Sequence, residues 1–160
     1  MSTMIGVLAL FENSKLNKTK TKQNVKDFFA NDFNHYLNLA NKHLSDISAP
    51  KLDPNAVAAH DGRNHTDEKI LVNLDARCCV QAVDDTISSC SYPSGLIIYL
   101  YFIKGMTDDK IAERLTYSLA RYYQLKNDAL IEFAERLDYW RQIDHASLDD
   151  LRVFEKTTVI

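Results

Sequence analysis

Apolar side chains recur every three or four residues through most of this chain, and this spacing constrains its fold more than any other feature. Between residues 21 and 44 the run includes Val25, Phe29 and Phe33, and neither glycine nor proline interrupts it. Such spacing places apolar side chains on one face of an α-helix. No alternating pattern is long enough to build a sheet. The sequence therefore predicts an all-α fold whose first long helix covers residues 21–44.

A polar segment separates this first helix from a second one. Residues 45–65 contain Pro50, Pro54 and Gly62, which interrupt periodic structure and predict a loop. Thr66 then fits a helix N-cap, and the apolar periodicity that follows predicts a second long helix ending near residue 89. Residues 21–90 are thus expected to form an N-terminal helical pair.

Two further helix starts, at Thr107 and Ser118, lie close together and predict a short helix followed by a long one. An apolar helix over residues 94–104 precedes them, with Pro93 in its first turn and Gly105 at its end. A turn of three or four residues forces two helices to cross steeply, so the second projects from the first. Residues 93–145 are therefore expected to form a three-helix unit containing a helix-turn-helix.

The corner of this unit is expected to be apolar and its outer face polar. Ile111, Leu115, Leu119 and Tyr122 are predicted to fill the corner between the short and the long helix. The tail over residues 146–160 is expected to add one helical turn, starting near Ser147.

The first turns of the last helix have side chains suited to reading DNA. A projecting helix fits the major groove, where Arg can bond guanine, Gln and Asn can bond adenine, and hydroxyl or basic groups can hold phosphate. The candidate DNA-binding residues are the outward positions Ala120, Arg121, Gln124 and Asn127, together with Thr116, Tyr117, Ser118, Tyr123, Lys104, Lys110, Arg114 and Lys126.

The distribution of charge is compatible with such a partner, although the total is not basic. The net charge of −3 counts against indiscriminate binding to nucleic acid. Five lysines, however, crowd the stretch from Lys15 to Lys26. Residues 1–20 are expected to form a flexible basic arm, and the lysine run is either a solvated segment or a surface that tracks DNA.

Other functional classes find little support in the sequence. The phosphate-cradling glycine loops and the hydrolase or zinc-protease motifs do not occur, so neither an enzyme nor a cofactor is expected. His60, Asp61, His65, Asp67 and Glu68 have no recognised ligand spacing, so no metal site is expected. The three cysteines, at an odd count and without CxxC spacing, argue against a disulfide framework. The longest early apolar run is too short to cross a membrane, which favours a cytoplasmic location.

Two segments of the chain resemble a known family. The stretch YSLARYYQLKNDALIEFAE, residues 117–135, and the stretch KTKQNVK, residues 20–26, resemble the ArpU family of phage transcriptional regulators. More distantly, GMTDDKIAERL over residues 105–115, followed by Ser118, is similar to the C-terminal helix-turn-helix of sigma factors. The resemblance implies a DNA-binding protein that controls late, packaging and lysis genes of phages or prophages in a bacterial host.

The sequence thus predicts a helical bundle with two long N-terminal helices and a sigma-factor-like C-terminal helix-turn-helix. The expected partners are double-stranded promoter or operator DNA, RNA polymerase, and a second subunit in a homodimer. Two alternatives stay open: a packaging or assembly adaptor resembling a small terminase subunit, and a protein-interaction module that uses the helix-turn-helix to form oligomers.

Overall fold

The computed structural model describes residues 14–50 and 73–156, and these residues are mostly helical, as the sequence predicted. They form five helices and one two-stranded sheet. Helix α1 runs continuously through Lys18–Asp27, a π-helical stretch Phe28–Asp32, and Phe33–Leu39; α2 is Leu74–Ser89; α3 joins Ser94–Ile98 to a π-helical stretch Tyr99–Ile103; α4 is Asp108–Arg114; and α5 is Leu119–Ile143. A single 3₁₀ turn, Leu44–Asp46, follows α1.

Helix α1 begins and ends earlier than the periodicity indicated. Its N-cap is Asn17, whose side-chain oxygen accepts a hydrogen bond from the Lys20 amide at 3.0 Å, so residues 18–20 are helical and do not belong to a flexible arm. Residues 1–13 of the predicted arm lie outside the described residues. The helix stops at Leu39 because Asn41 adopts a left-handed conformation, with φ of 53°.

A two-stranded antiparallel sheet, which the sequence did not predict, joins the two ends of the described chain. Strand β1, Ser14–Leu16, pairs with β2, Phe154–Lys156, so that Lys15 lies opposite Glu155. Strands of three residues are too short to show an alternating pattern. The pairing therefore leaves no signal in the sequence.

The segment between α5 and β2 has no regular secondary structure, so the helical turn predicted near Ser147 is wrong. Its backbone is held by side chains of other elements: Arg141 Nη1 donates to the Leu148 carbonyl and Asn24 Nδ2 to the Leu151 carbonyl, each at 3.0 Å. These hydrogen bonds satisfy backbone carbonyl groups that would otherwise bond within a helix. The Leu148 side chain is buried.

The predicted loop and the start of the second helix are only partly described. Residues 51–72, which include Thr66 and the five residues weighed as metal ligands, lie outside the described residues. Residues 47–50 are non-helical, and the Ser48 amide bonds to Asp84 of α2 at 3.0 Å. No helix in residues 14–50 and 73–156 combines the length and apolarity that crossing a membrane requires.

Phenylalanine rings from three helices meet at the centre of the core. The Phe29 ring of α1 stacks on Phe102 of α3, with centroids 4.2 Å apart, and lies 5.0 Å from Phe133 of α5. Phe133 is fully buried. Beyond it, Trp140 of α5 donates a hydrogen bond to Ser89 of α2 at 2.9 Å. The inward side of the second half of α5 is thus covered by helices of the same chain.

Two carboxyl groups approach each other where α5 ends. Asp144 is the C-cap of α5, and its Oδ2 atom is buried without a hydrogen-bond partner among the described residues. Burial and the neighbouring Asp85 carboxyl group of α2 raise the pKa of Asp144 to about 7. The folded protein therefore favours the protonated form of this side chain.

We expect replacement of Phe133 by alanine to lower the free energy of unfolding by about 3–5 kcal/mol, since it removes a buried ring from the aromatic cluster. Tyr139→Ala is the matched control because this ring on the same helix is 58% exposed, and it should cost about 1 kcal/mol or less. Urea unfolding measures both values. Similar losses in the two variants would contradict the placement of the core.

We also expect stability to depend on pH through Asp144. Its folded pKa lies above the value of about 3.9 for an unfolded Asp, so the stabilisation is complete below that value and is lost as pH rises to about 7. Asp144→Asn should flatten this part of the pH profile and raise stability at pH 8 relative to the unmodified chain. Urea unfolding at pH 5 and pH 8 tests this, and an unchanged profile in the variant would exclude Asp144 as the source.

Candidate functional site

Four residues, 115–118, connect α4 to α5, and backbone hydrogen bonds hold them in a tight turn. The Leu115 amide bonds to the Ile111 carbonyl and the Tyr117 amide to the Ala112 carbonyl, each at 2.9 Å. Thr116 has φ of 61°, a left-handed conformation that β-branched residues rarely adopt. Ser118 then caps α5 through its Oγ, which accepts from the Arg121 amide at 3.2 Å.

The corner between α4 and α5 is packed, but not by all the residues that the sequence indicated. Ile111 and Tyr122 are fully buried and Ala112 is 4% exposed. Leu119, which was predicted to fill the corner, is 43% exposed, so that prediction is wrong. Leu119 is the first residue of α5 and precedes the crossing with α4, whereas Tyr122 lies almost one turn further on.

A polar cluster beneath the apolar corner ties three helices together. Asp108 Oδ1, at the start of α4, accepts hydrogen bonds from the Tyr122 hydroxyl at 2.7 Å and from Lys126 Nζ at 2.9 Å. The same ammonium lies 3.6 Å from the centre of the Tyr101 ring of α3. Burial, and then the bond to the Asp108 carboxylate, raises the pKa of Tyr122 above its ordinary value. The hydroxyl therefore stays protonated as a donor.

Lys126 consequently does not belong with the phosphate contacts that the sequence predicted. Lys126 is 8% exposed, and its ammonium group forms an ion pair with Asp108 and lies over the Tyr101 ring inside the protein. It lies four residues after Tyr122, and therefore on the same, inward side of α5. The aliphatic stem of a lysine packs well in such a position, so the apolar periodicity of α5 continues through it.

The outward side of the first turns of α5 carries the predicted base-reading residues at the surface. Ala120, Arg121, Gln124 and Asn127 are all exposed. Arg121 Nη1 donates to Gln124 Oε1 at 3.1 Å, which places the guanidinium and the amide side by side. Tyr123, on the flank of this surface, is 44% exposed.

The remaining candidates lie in the α4–α5 turn, on α4 and just after α3. Thr116 and Ser118 of the turn are exposed, and Tyr117 is half-buried. Lys110 of α4 is exposed, whereas Arg114, in the last turn of α4, is half-buried and makes interactions of its own. Lys104 follows α3, with its ammonium 5.7 Å from the centre of the Tyr99 ring.

Sequence reasoning missed one neighbour of this surface. Lys22 of α1 donates to Asn127 of α5 through its ammonium, at 3.4 Å. Lys22, which belongs to the lysine run near the start of the chain, therefore lies beside the first half of α5. The apolar periodicity of α1 indicates which of its faces is buried but not which helix it packs against, so no sequence signal gives this contact.

Comparisons of the chain with protein-family models, curated proteins and solved structures found no match. Its function must therefore be inferred from its own residues. Those residues place a polar, partly basic surface on the first turns of a helix whose opposite side is held by Asp108 and the apolar corner.

We expect Asp108→Ala to lower the free energy of unfolding by about 3 kcal/mol, because it leaves the Lys126 ammonium and the Tyr122 hydroxyl without their acceptor. Asp109→Ala is the matched control: it removes a neighbouring exposed carboxylate from the same helical turn and should cost about 1 kcal/mol or less. Urea unfolding of both variants tests this. Equal losses would mean that the polar cluster contributes nothing beyond the helix dipole.

Proposed function

We propose that this chain is a sequence-specific DNA-binding transcriptional regulator in which α4 and α5 act as a helix-turn-helix. In this proposal α5 enters the major groove, whose width of about 12 Å admits one helix. Arg121, Gln124 and Asn127 contact base edges there, and Ala120 lies against a base or its methyl group. The juxtaposed, exposed Arg121 and Gln124 carry the proposal, since their types suit guanine and adenine.

The fixed position of α5 supports base reading. A helix that tilted freely would lose conformational freedom on binding, at a cost to affinity. Here Tyr122 and Lys126 tie the first turns of α5 to Asp108 on α4, and Phe133 anchors the helix in the core. The outward side chains are therefore held in a defined orientation before DNA arrives.

Phosphate contacts would come from the rim of the same surface. Lys104 after α3, together with Lys110 and Arg114 of α4, would supply positive charge, and Thr116, Tyr117, Ser118 and Tyr123 would supply hydroxyl groups. The N-terminus of α5 adds the positive end of a helix dipole. Such contacts set the register of the protein on DNA without reading sequence.

The biological setting rests on the resemblance to the ArpU family. It supports control of late, packaging or lysis genes of a phage or prophage, in the cytoplasm of a bacterial host. A sigma-factor-like arrangement of α3, α4 and α5 would bring the protein to a promoter, where it contacts or hinders RNA polymerase. Binding as a homodimer would engage two half-sites one turn of DNA apart. No catalytic step or cofactor is part of this proposal.

One observation favours the alternative of an assembly or packaging adaptor. Leu119 and Tyr123 lie four residues apart on α5 and are 43% and 44% exposed, so they form a small apolar strip beside the polar surface. An adaptor would bury this strip against another protein subunit. A regulator would place it against sugar or thymine methyl groups in the groove.

The decisive experiment measures binding to DNA from upstream of the gene's neighbours and to scrambled DNA, at two salt concentrations. The double variant Arg121→Ala, Gln124→Ala should reduce the preference for the upstream DNA at least about tenfold, because each bidentate base contact contributes about 1–3 kcal/mol of discrimination. The matched control, Lys20→Ala with Gln23→Ala, also removes one cation and one amide, from the exposed surface of α1. It should retain the preference.

Equal, weak binding to both DNAs by the unmodified chain would contradict the regulator. If the chain also formed a ring-like oligomer that Leu119→Ser disrupted, the adaptor would be the better explanation.

A further inference from the structure

Helices α1 and α5 lie side by side and point in the same direction. The Lys22 ammonium of α1 meets Asn127 of α5 at 3.4 Å. Further along both helices, the rings of Phe29 and Phe133 lie 5.0 Å apart. Because the contacts advance together along the two helices with an offset of about 105 residues, Lys18 lies near the level of Tyr123, one turn into α5. The exposed first turns of α5 therefore have a neighbouring helix along one edge.

Lysines follow that edge at regular intervals. Lys18, Lys22 and Lys26 are four residues apart, which places them on one side of α1 with a rise of about 6 Å between successive side chains. Lys18 and Lys26 are exposed, and Lys22 marks this side as the one next to α5. The first acidic residue in the helix is Asp27, so residues 18–26 carry four lysines and no acidic side chain.

Lys20 belongs to a different side of the same helix. Two residues along a helix correspond to a rotation of about 200°, so Lys20 points almost opposite to Lys22. It is exposed and carries the same charge. It therefore provides an internal control in which charge is held constant while position changes.

We propose that Lys18, Lys22 and Lys26 form a phosphate-binding stripe that follows the backbone of double-stranded DNA at the edge of the groove entered by α5. This inference rests on the proposed function. Packed helices lie about 8–10 Å apart, and the major groove is about 12 Å wide. A helix packed beside one that fills the groove therefore lies over the groove's edge, where the phosphates are.

The role of the stripe differs from that of the α5 surface. Phosphate contacts raise affinity for every sequence through release of counterions, and they do not discriminate between bases. The stripe should therefore control the strength and the salt dependence of binding. Arg121 and Gln124 should control the preference among sequences. This separation allows the two proposals to be tested independently.

The experiment measures affinity for upstream and scrambled DNA over a series of salt concentrations. Two variants remove stripe charges: the single variant Lys22→Gln, and a triple variant that carries Lys18→Gln, Lys22→Gln and Lys26→Gln together. Lys20→Gln is the control. A fourth variant has arginine at all three stripe positions. Each lost phosphate contact reduces the slope of log affinity against log salt by about 0.9. The triple glutamine variant should thus reduce it by about 2–3, with unchanged sequence preference. Lys20→Gln should leave it unchanged, and the arginine variant should retain it.

Each outcome bears on one of the two proposals. If Lys22→Gln and Lys20→Gln have the same effect, or if the triple variant keeps the original slope, the stripe is wrong even when Arg121→Ala, Gln124→Ala abolishes sequence preference. If the chain binds DNA without preference but the triple variant lowers the slope, the stripe holds and base reading fails. Absence of binding to any DNA contradicts both. Circular dichroism of each variant checks that the helices are retained.

Discussion

The hydrogen-bonded contact of Asp108 with Tyr122 and Lys126 determines how the surface of α5 is presented. Removing an ammonium from water is costly, and a buried ion pair often contributes little net stability compared with apolar packing. What the contact does provide is a directional constraint, because the carboxylate oxygen must lie 2.7 Å from a hydroxyl and 2.9 Å from an ammonium at once. Sliding or rotation of α4 along α5 would break both bonds. The orientation of α5 at the corner follows from this requirement.

The length of α5 connects this local constraint to the rest of the molecule. The helix has 25 residues, of which the first turns form the candidate surface and the later turns lie in the core. Phe133, Ala134 and Leu137 are buried there. An α-helix is stiff along its axis because its backbone hydrogen bonds are internal. The aromatic cluster and the Asp108 contact therefore hold opposite parts of one rigid element, and the first turns are supported from both.

The parts of this structure that could be predicted are those encoded locally. Ser118 caps α5, and Gly105 ends α3 in a left-handed conformation with φ of 66°, since capping and chain reversal depend on a few adjacent residues. The exposure of Arg121 and Gln124 followed from helical periodicity. The pairing of β1 with β2 did not, because it joins short segments at opposite ends of the chain. The same is true of the contact between Lys22 and Asn127, which are 105 residues apart.

Charge illustrates why local reasoning gave only part of the candidate site. The sequence places Lys126 among the phosphate contacts, yet its ammonium pairs with Asp108 inside the protein. Lys22 of α1 is distant in sequence but lies beside α5 in space. A chain with net charge −3 can in this way hold a cation beside a polar helix face, because the potential near a contact depends on the arrangement of the charges more than on their sum. Folding moves Lys126 out of the candidate surface and brings Lys22 beside it.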